Sequence, residues 1–388
     1  MDWARIGEAL VRLLERSHDL EPADLQAVVA QEGERAGLAG VEVMLVDRQQ
    51  RALRSLLTGE VIGVDGTLAG DAYRRARVHA RPRDGDVELA VPLLDGVDRL
   101  GVVLMRVPRD GDDVRRAAHA FVALTAELVV SKDSYSDVFE LAQSTEEIDL
   151  PATLRWALLP PISMRTARVS VAGMLEPAYD IAGDAFDYAV NEDIAHCAVF
   201  DAVGHGLRSA RLTNLAIGGY RWSRRKDDSI VQTCEAIDRA LVDQFGESWF
   251  VTALFARLDM RDGTFTWASA GHPMPLLLRR GKVVGELTGS SGLPLGLGGA
   301  PPTVAQNHLE PGDQVLLYSD GVTESRDAGG EFFGDARLVD HLERSAAAGL
   351  SPAETLRRLV ARLLEFQDGP LRDDATLLLV GWRLDPAP

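Results

Sequence analysis

The chain has 388 residues, 46% apolar and 26% charged, a globular composition long enough for two or three cores. Its 59 acidic residues against 41 basic ones leave a net charge of -18, which argues against the basic face that non-specific nucleic-acid or anionic-membrane binding needs. Two cysteines, Cys197 and Cys234, both in apolar surroundings, fit a reducing compartment rather than a disulfide framework. The opening "MDWARIGEALVRLLERS" carries early charges and lacks a signal-peptide core, and no run of about 18 apolar residues follows. A cytoplasmic protein with no nucleic-acid or membrane partner is expected.

Trp3, Ile6, Leu10, Leu13 and Leu14 recur at helical spacing, and "VEVMLVD" (41–47) reads as a buried strand. "DVELAVPLLDGVDRLGVVLMRVP" (86–108) predicts two strands joined around Asp95-Gly96 and Val97-Asp98. Val114, Ala118, Phe121, Thr125, Leu128 and Val129 then line one face of a long helix that ends near Ser131. This order predicts a small α+β domain over 1–130. Within it, "LAVPLLDGVDRLGVVLM" resembles the paired central strands of a GAF domain. That resemblance implies a sensor with a small-molecule ligand; a dimerisation module reads equally well from the same residues.

Residues 131–165 turn from polar to amphipathic and end on Pro160-Pro161, the pattern of a helical linker with a break. Its helical phase would also suit a parallel homodimer. From 166 to 385, short apolar runs alternate with Gly, Pro and Asp turns, with helical stretches at 207–219 and 351–367. A β-rich α/β domain is predicted there.

Four acidic points of this second domain share one pattern, a carboxylate at the mouth of an apolar strand beside Gly or another acid. They are "IAGDAFDY" with Asp184 and Asp187, "CAVFDAVGHG" with Asp201, "VLLYSDGVTE" with Asp320 and Glu324, and "LRDDATLLLV" with Asp373 and Asp374. Carboxylates gathered at strand ends repel unless a cation neutralises them. All-oxygen ligation suits Mg²⁺ or Mn²⁺, and the lack of a Cys/His cluster disfavours zinc. "GHGLRS" after a strand approximates a dinucleotide turn, but Ser209 stands at the third small position and Asp201 would repel a phosphate. No G-x-S-x-G esterase elbow is present.

In order, "DIAGDAFDYAV", "FDAVGHGLRSA", "WFVTALFARLD", "ASAGHPMPLLL", "GLPLGL", "LEPGDQVLLYSDGVTES" and "RDDATLLLV" resemble a metal-dependent protein phosphatase (PPM) of the bacterial SpoIIE-like branch over about 175–381. The fold class this implies is α+β: a GAF-like N-terminal domain, a helical linker, and a PPM-type sandwich of two antiparallel sheets flanked by helices. The resemblance implies a two-ion Mn²⁺ or Mg²⁺ centre with Asp184, a bridging Asp201, the Ala202 carbonyl, Asp320, Asp373 and Asp374 as ligands, Asp374 sitting where relatives vary more. His205 would protonate the leaving serine or threonine oxygen, or else hydrogen-bond its own turn. His272 is expected to be structural, and Phe250 and Thr252 to pack in a core strand. Arg155 in "LRWALLPP" stands where the family usually has Gln. The implied substrate is a phosphorylated STAS-type anti-sigma-factor antagonist, with a non-catalytic adaptor or a small-molecule phosphohydrolase as rival readings.

Overall fold

The structure is a computed structural model that describes residues 3–145, 148–177 and 183–383. The chain divides into two compact units, Met1–Glu147 and Ile148–Pro388. The division falls inside the amphipathic stretch 131–165.

Unit 1 holds the strands β1 (Ala39–Val46), β2 (Ala52–Ser55), β3 (Val61–Gly63), β4 (His79–Arg83), β5 (Asp86–Asp95) and β6 (Asp98–Val107). They form one antiparallel sheet in the order β3-β2-β1-β6-β5-β4. Its helices are α1 (Trp3–Ser17), α2 (Leu25–Ala36), α3 (Leu68–Arg75), α4 (Asp112–Asp133) and α5 (Val138–Gln143). Ile6, Leu13, Val29, Phe121 and Val129 of α1, α2 and α4 pack on Val43, Leu45 and Val103 of one sheet face. Ala72 and Tyr73 of α3 cover Met44, Val46 and Val102 on the other. The expected hairpin is β5–β6, and the expected long helix is α4. On α1 the buried side is Ile6, Ala9 and Leu13, whereas Trp3 and Leu14 are exposed, so the apolar positions wrap wider than the face that packs.

Unit 2 begins with α6 (Leu150–Trp156), β7 (Ser163–Arg165), β8 (Val169–Glu176), β9 (Asp184–Asn191) and β10 (Ile194–Ala202). Helices α7 (Leu207–Arg225) and α8 (Ile230–Phe245) follow, then β11 (Val251–Asp259), β12 (Thr264–Ala270), β13 (Leu276–Arg279) and β14 (Lys282–Glu286). The chain continues through β15 (Ser291–Gly292), β16 (Ala305–His308), β17 (Gln314–Tyr318) and α9 (Asp320–Thr323). It closes with α10 (Gly334–Ala347), α11 (Pro352–Gln367) and β18 (Ala375–Trp382).

The strands make two sheets, β15-β12-β11-β10-β9 with β16 also on β12, and β14-β13-β17-β18-β8-β7. Pairing is antiparallel except at the two-residue β15. Phe186, Val199, Leu254 and Trp267 of the first sheet meet Leu317, Leu378 and Val380 of the second in a shared core. Outside the first sheet, Tyr220 of α7 and Ile237 of α8 pack on Phe200 and Phe255. Outside the second, Leu342 of α10 and Leu356, Leu359 and Leu363 of α11 pack on Met174, Leu377 and Leu379. Two sheets with helices on both outer faces explain why β8 and β18 are buried along their whole length rather than alternating. The sandwich expected for this unit is present.

Helix α8 was not anticipated, although its start carries a sequence signature. Ser229 accepts from the Gln232 backbone and the Gln232 side chain returns to the Ser229 N–H, a capping box. Both cysteines are free and buried, and burial pushes each thiol up to about 12, so neither is reactive at neutral pH.

The inter-sheet fit gives a paired test. A Cβ at Gly173 of β8 would stand 2.3 Å from the Phe186 ring of the facing sheet. Gly173→Ala is expected to lower unfolding free energy by about 1–3 kcal/mol. Gly218, within α7 and with nothing inside 4 Å of its added Cβ, should instead gain about 0.5–1 kcal/mol as Gly218→Ala. Urea denaturation of both variants checks the contrast.

Candidate metal centre

The hairpin β9–β10 turns around Glu192, and its open end places Asp184 directly across from Asp201 as a register pair. Two carboxylates facing each other across a strand pair oppose the fold unless something offsets them. The other sheet brings a second acidic edge alongside. Tyr318 pairs with Leu377, and Ser319 donates its backbone N–H to Thr376 O at 3.0 Å, so Asp320 after β17 and Asp373-Asp374 before β18 leave their strands together. A Cβ at Gly321 would lie 1.9 Å from the Asp374 carbonyl oxygen, so this approach needs glycine. Ser319 does not cap α9. Its hydroxyl accepts the Thr376 N–H at 2.9 Å and ties the two edges together.

Asp374 binds the two sheets at this point. Its Oδ2 accepts N–H from Gly183 at 2.9 Å and from Asp184 at 3.0 Å. Ala202 donates its N–H to Gly183 O at 3.1 Å, and a Cβ on Gly183 would come 2.9 Å from Ala202 O. Beyond Ala202, Gly204 and Gly206 adopt φ of 87° and 74°, a left-handed conformation that lets the chain turn sharply into α7. His205 sits exposed between them.

Asp184 and Asp374 are buried, Asp201 is partly buried, and Asp320 and Asp373 are exposed at the rim. Burial first, then Asp201 and Asp374, holds the Asp184 carboxyl well above the usual carboxylate range. Burial, then Asp320 and Asp373, pushes Asp201 up to about 7. Burial, opposed chiefly by Arg155, lifts Asp374 to about 6. These five acids feel one another, yet among the described residues no three such side chains close into a finished ligand set.

The donors fit a hard divalent ion. All are oxygens, and Asp184 Oδ2 and Asp374 Oδ1 are buried with no hydrogen-bond partner.

The place of Thr252 was not anticipated from the sequence. Thr252, expected to pack in a core strand, lies with its Oγ1 3.4 Å from Asp201 Oδ2 and 2.8 Å from His272 Nδ1. The correction follows from β11 register, since Thr252 pairs with Asp201 across β10–β11. His272 is buried, and burial lowers its imidazole to about 3, so a neutral ring buttresses Thr252. The Thr and His types within "WFVTALF" and "ASAGHPMP" were the only signal.

Asp187 shares the strand-mouth grammar but not the site. It faces the α7 side, in ion pairs with Arg221 at 2.8 Å and Arg224 at 2.9 Å. The spacing of those arginines, three apart on one helix, is the clue that separates it from Asp184. Arg155 of α6, read only as a departure from a family pattern, has its Nη1 3.5 Å from Asp374 Oδ2.

A model of the Stage II sporulation protein E (SpoIIE) family matches residues 192–383, which include Asp201, Asp320 and Asp373 and begin after Asp184. The phosphoserine phosphatase RsbU of Bacillus subtilis (strain 168) is 27% identical over 238 residues, 60% of this chain and 69% of RsbU. Protein IcfG of Synechocystis is 23% identical over 271 residues, 62% of this chain but only 40% of IcfG. The structure of the SiaA-PP2C domain of Pseudomonas aeruginosa superposes with a TM-score of 0.50 at 24% identity, covering 60% of this chain and 94% of that domain.

The raised carboxyls give a pH signature for the metal-free protein. An acid whose folded pKa exceeds its unfolded value near 4 binds a proton more tightly when native, so stability falls as pH rises from about 4 through about 7. In chelator, the thermal midpoint is expected to drop between about pH 4 and pH 7, and Asp201→Asn should flatten that drop. An equally steep drop in the variant would contradict the mutual repulsion of these acids.

Unit 2 therefore shares the fold of the SiaA-PP2C domain, and its residues 192–383 are similar to the SpoIIE family.

Proposed function

We propose that the chain is a protein serine/threonine phosphatase dependent on Mn²⁺ or Mg²⁺. The observation that carries this reading is the meeting of Asp184, Asp201, Asp320 and the Asp373-Asp374 pair at one end of the sandwich, with buried, unpartnered carboxylate oxygens. RsbU, among the matched relatives, is named a phosphoserine phosphatase.

Asp184, Asp201, Asp320, Asp373 and the Ala202 carbonyl would hold the ions. When bound, such ions supply Lewis acidity that makes a water nucleophilic near neutral pH and neutralises phosphoryl oxygens. The chain's own residues do the positioning. Asp374 fixes the Gly183-Asp184 turn through two N–H bonds and keeps Oδ1 buried without a hydrogen-bond partner. Thr252, backed by His272, steadies Asp201. Exposed His205, on a turn of small residues that leaves room for a phosphorylated side chain, would deliver a proton to the leaving serine or threonine oxygen.

The substrate in this reading is a phosphorylated STAS-type anti-sigma-factor antagonist, and unit 1 acts as a GAF-like regulatory domain. Support for the latter is its own core and its antiparallel sheet covered by helices on both faces. No helix among the described residues is long and apolar enough to cross a membrane.

Hydrolysis of an aryl phosphate and of a phosphoserine STAS protein, with Mn²⁺ or with chelator, tests the assignment. Asp201→Asn is expected to lose at least about a hundredfold in turnover, as chelation does. Unchanged turnover in that variant would end the catalytic reading.

A further inference from the structure

Arg155 is 1% exposed, although a guanidinium is among the groups least willing to leave water. Its Nη2 donates to Pro177 O at 2.7 Å, and its Nη1 stands 3.5 Å from Asp374 Oδ2. Asp374, Asp184, Asp149 and Glu176 all attract it. Beside its bond to the Pro177 carbonyl, the guanidinium brings a full positive charge. That charge acts on Asp184 and Asp374, the two acids of the centre that keep a buried oxygen without a partner.

We propose that Arg155 is a resident cation of the acidic centre, neutralising Asp374 and so weakening the hold of the site on a divalent ion. The inference rests on the metal-dependent reading above and concerns how tightly the ion is held. Two positive centres that share carboxylates repel each other, and removing one strengthens the binding of the other. Removing Arg155 also leaves Asp374 buried and uncompensated, so the same change destabilises the metal-free protein. Opposite effects on affinity and on metal-free stability distinguish a resident cation from a plain structural pin, whose loss would weaken both.

Calorimetric titration of Mn²⁺ into the full chain, with thermal midpoints in chelator, reads both effects without any assay of turnover. Arg155→Gln keeps a hydrogen-bonding amide and removes the charge. It is expected to bind Mn²⁺ about tenfold tighter while its midpoint in chelator falls. In an Asp374→Asn background the same substitution should gain markedly less. Arg155→Lys, which keeps the charge, should stay within about twofold of wild type, and it decides the matter if Arg155→Gln does not fold. Unchanged or weaker Mn²⁺ binding by folded Arg155→Gln, or an Arg155→Lys affinity well outside that range, overturns the proposal and leaves the metal-dependent reading standing. A wild-type chain that binds no Mn²⁺ overturns both.

Discussion

Asp184 and Asp201 face each other across two paired strands, and like charges in that relation push a sheet apart. Much of the end of the unit 2 sandwich can be understood as a response to that repulsion. Asp374 turns its Oδ2 to two backbone N–H groups, Thr252 offers a hydroxyl to Asp201, and Arg155 contributes a full positive charge from α6. What remains unanswered is charge on Asp201, Asp320 and Asp373, at the side of the cluster that opens to solvent. A divalent ion is the group whose chemistry matches that remainder.

The sandwich makes this concentration of acids tolerable. Its core of Trp267, Phe186, Leu254 and Leu378 and the helical layers on both outer faces bind the two sheets over a wide apolar area, so repulsion is confined to one edge. The edge is also closely fitted. Gly321 and Gly183 let backbone approach backbone within each edge where any side chain would collide, and the Asp374 carboxylate joins the two edges through the Gly183 and Asp184 N–H groups. A stable frame holding an unfavourable cluster is the pattern expected where stability has been traded for chemistry.

Much of this was legible in the sequence, for reasons that differ by residue. Asp184, Asp201, Asp320 and Asp373 each end or precede an apolar run, and such placement is hard to justify for a charge unless it serves the strand's end. The hairpin of unit 1 was readable because Asp95-Gly96 interrupts two continuous β runs. Asp187 carries the same local grammar as Asp184, yet its partners Arg221 and Arg224 lie on a helix more than thirty residues away, so only tertiary structure separates ligand candidate from ion pair. Thr252 was hidden because a hydroxyl in an apolar strand looks like an ordinary core polar group until register sets it beside Asp201, with the His272 ring of the loop after β12 behind it. Arg155 was visible as an oddity of type; its charge acquired meaning only when α6 placed it against Asp374.

The most direct test of a cation-organised acidic centre is anomalous diffraction from crystals of the chain grown with Mn²⁺. Anomalous density is expected between Asp184, Asp201, Asp320 and Asp373, with the four carboxylates drawn toward it. Ordered carboxylates in unchanged positions with no anomalous density among them would contradict it.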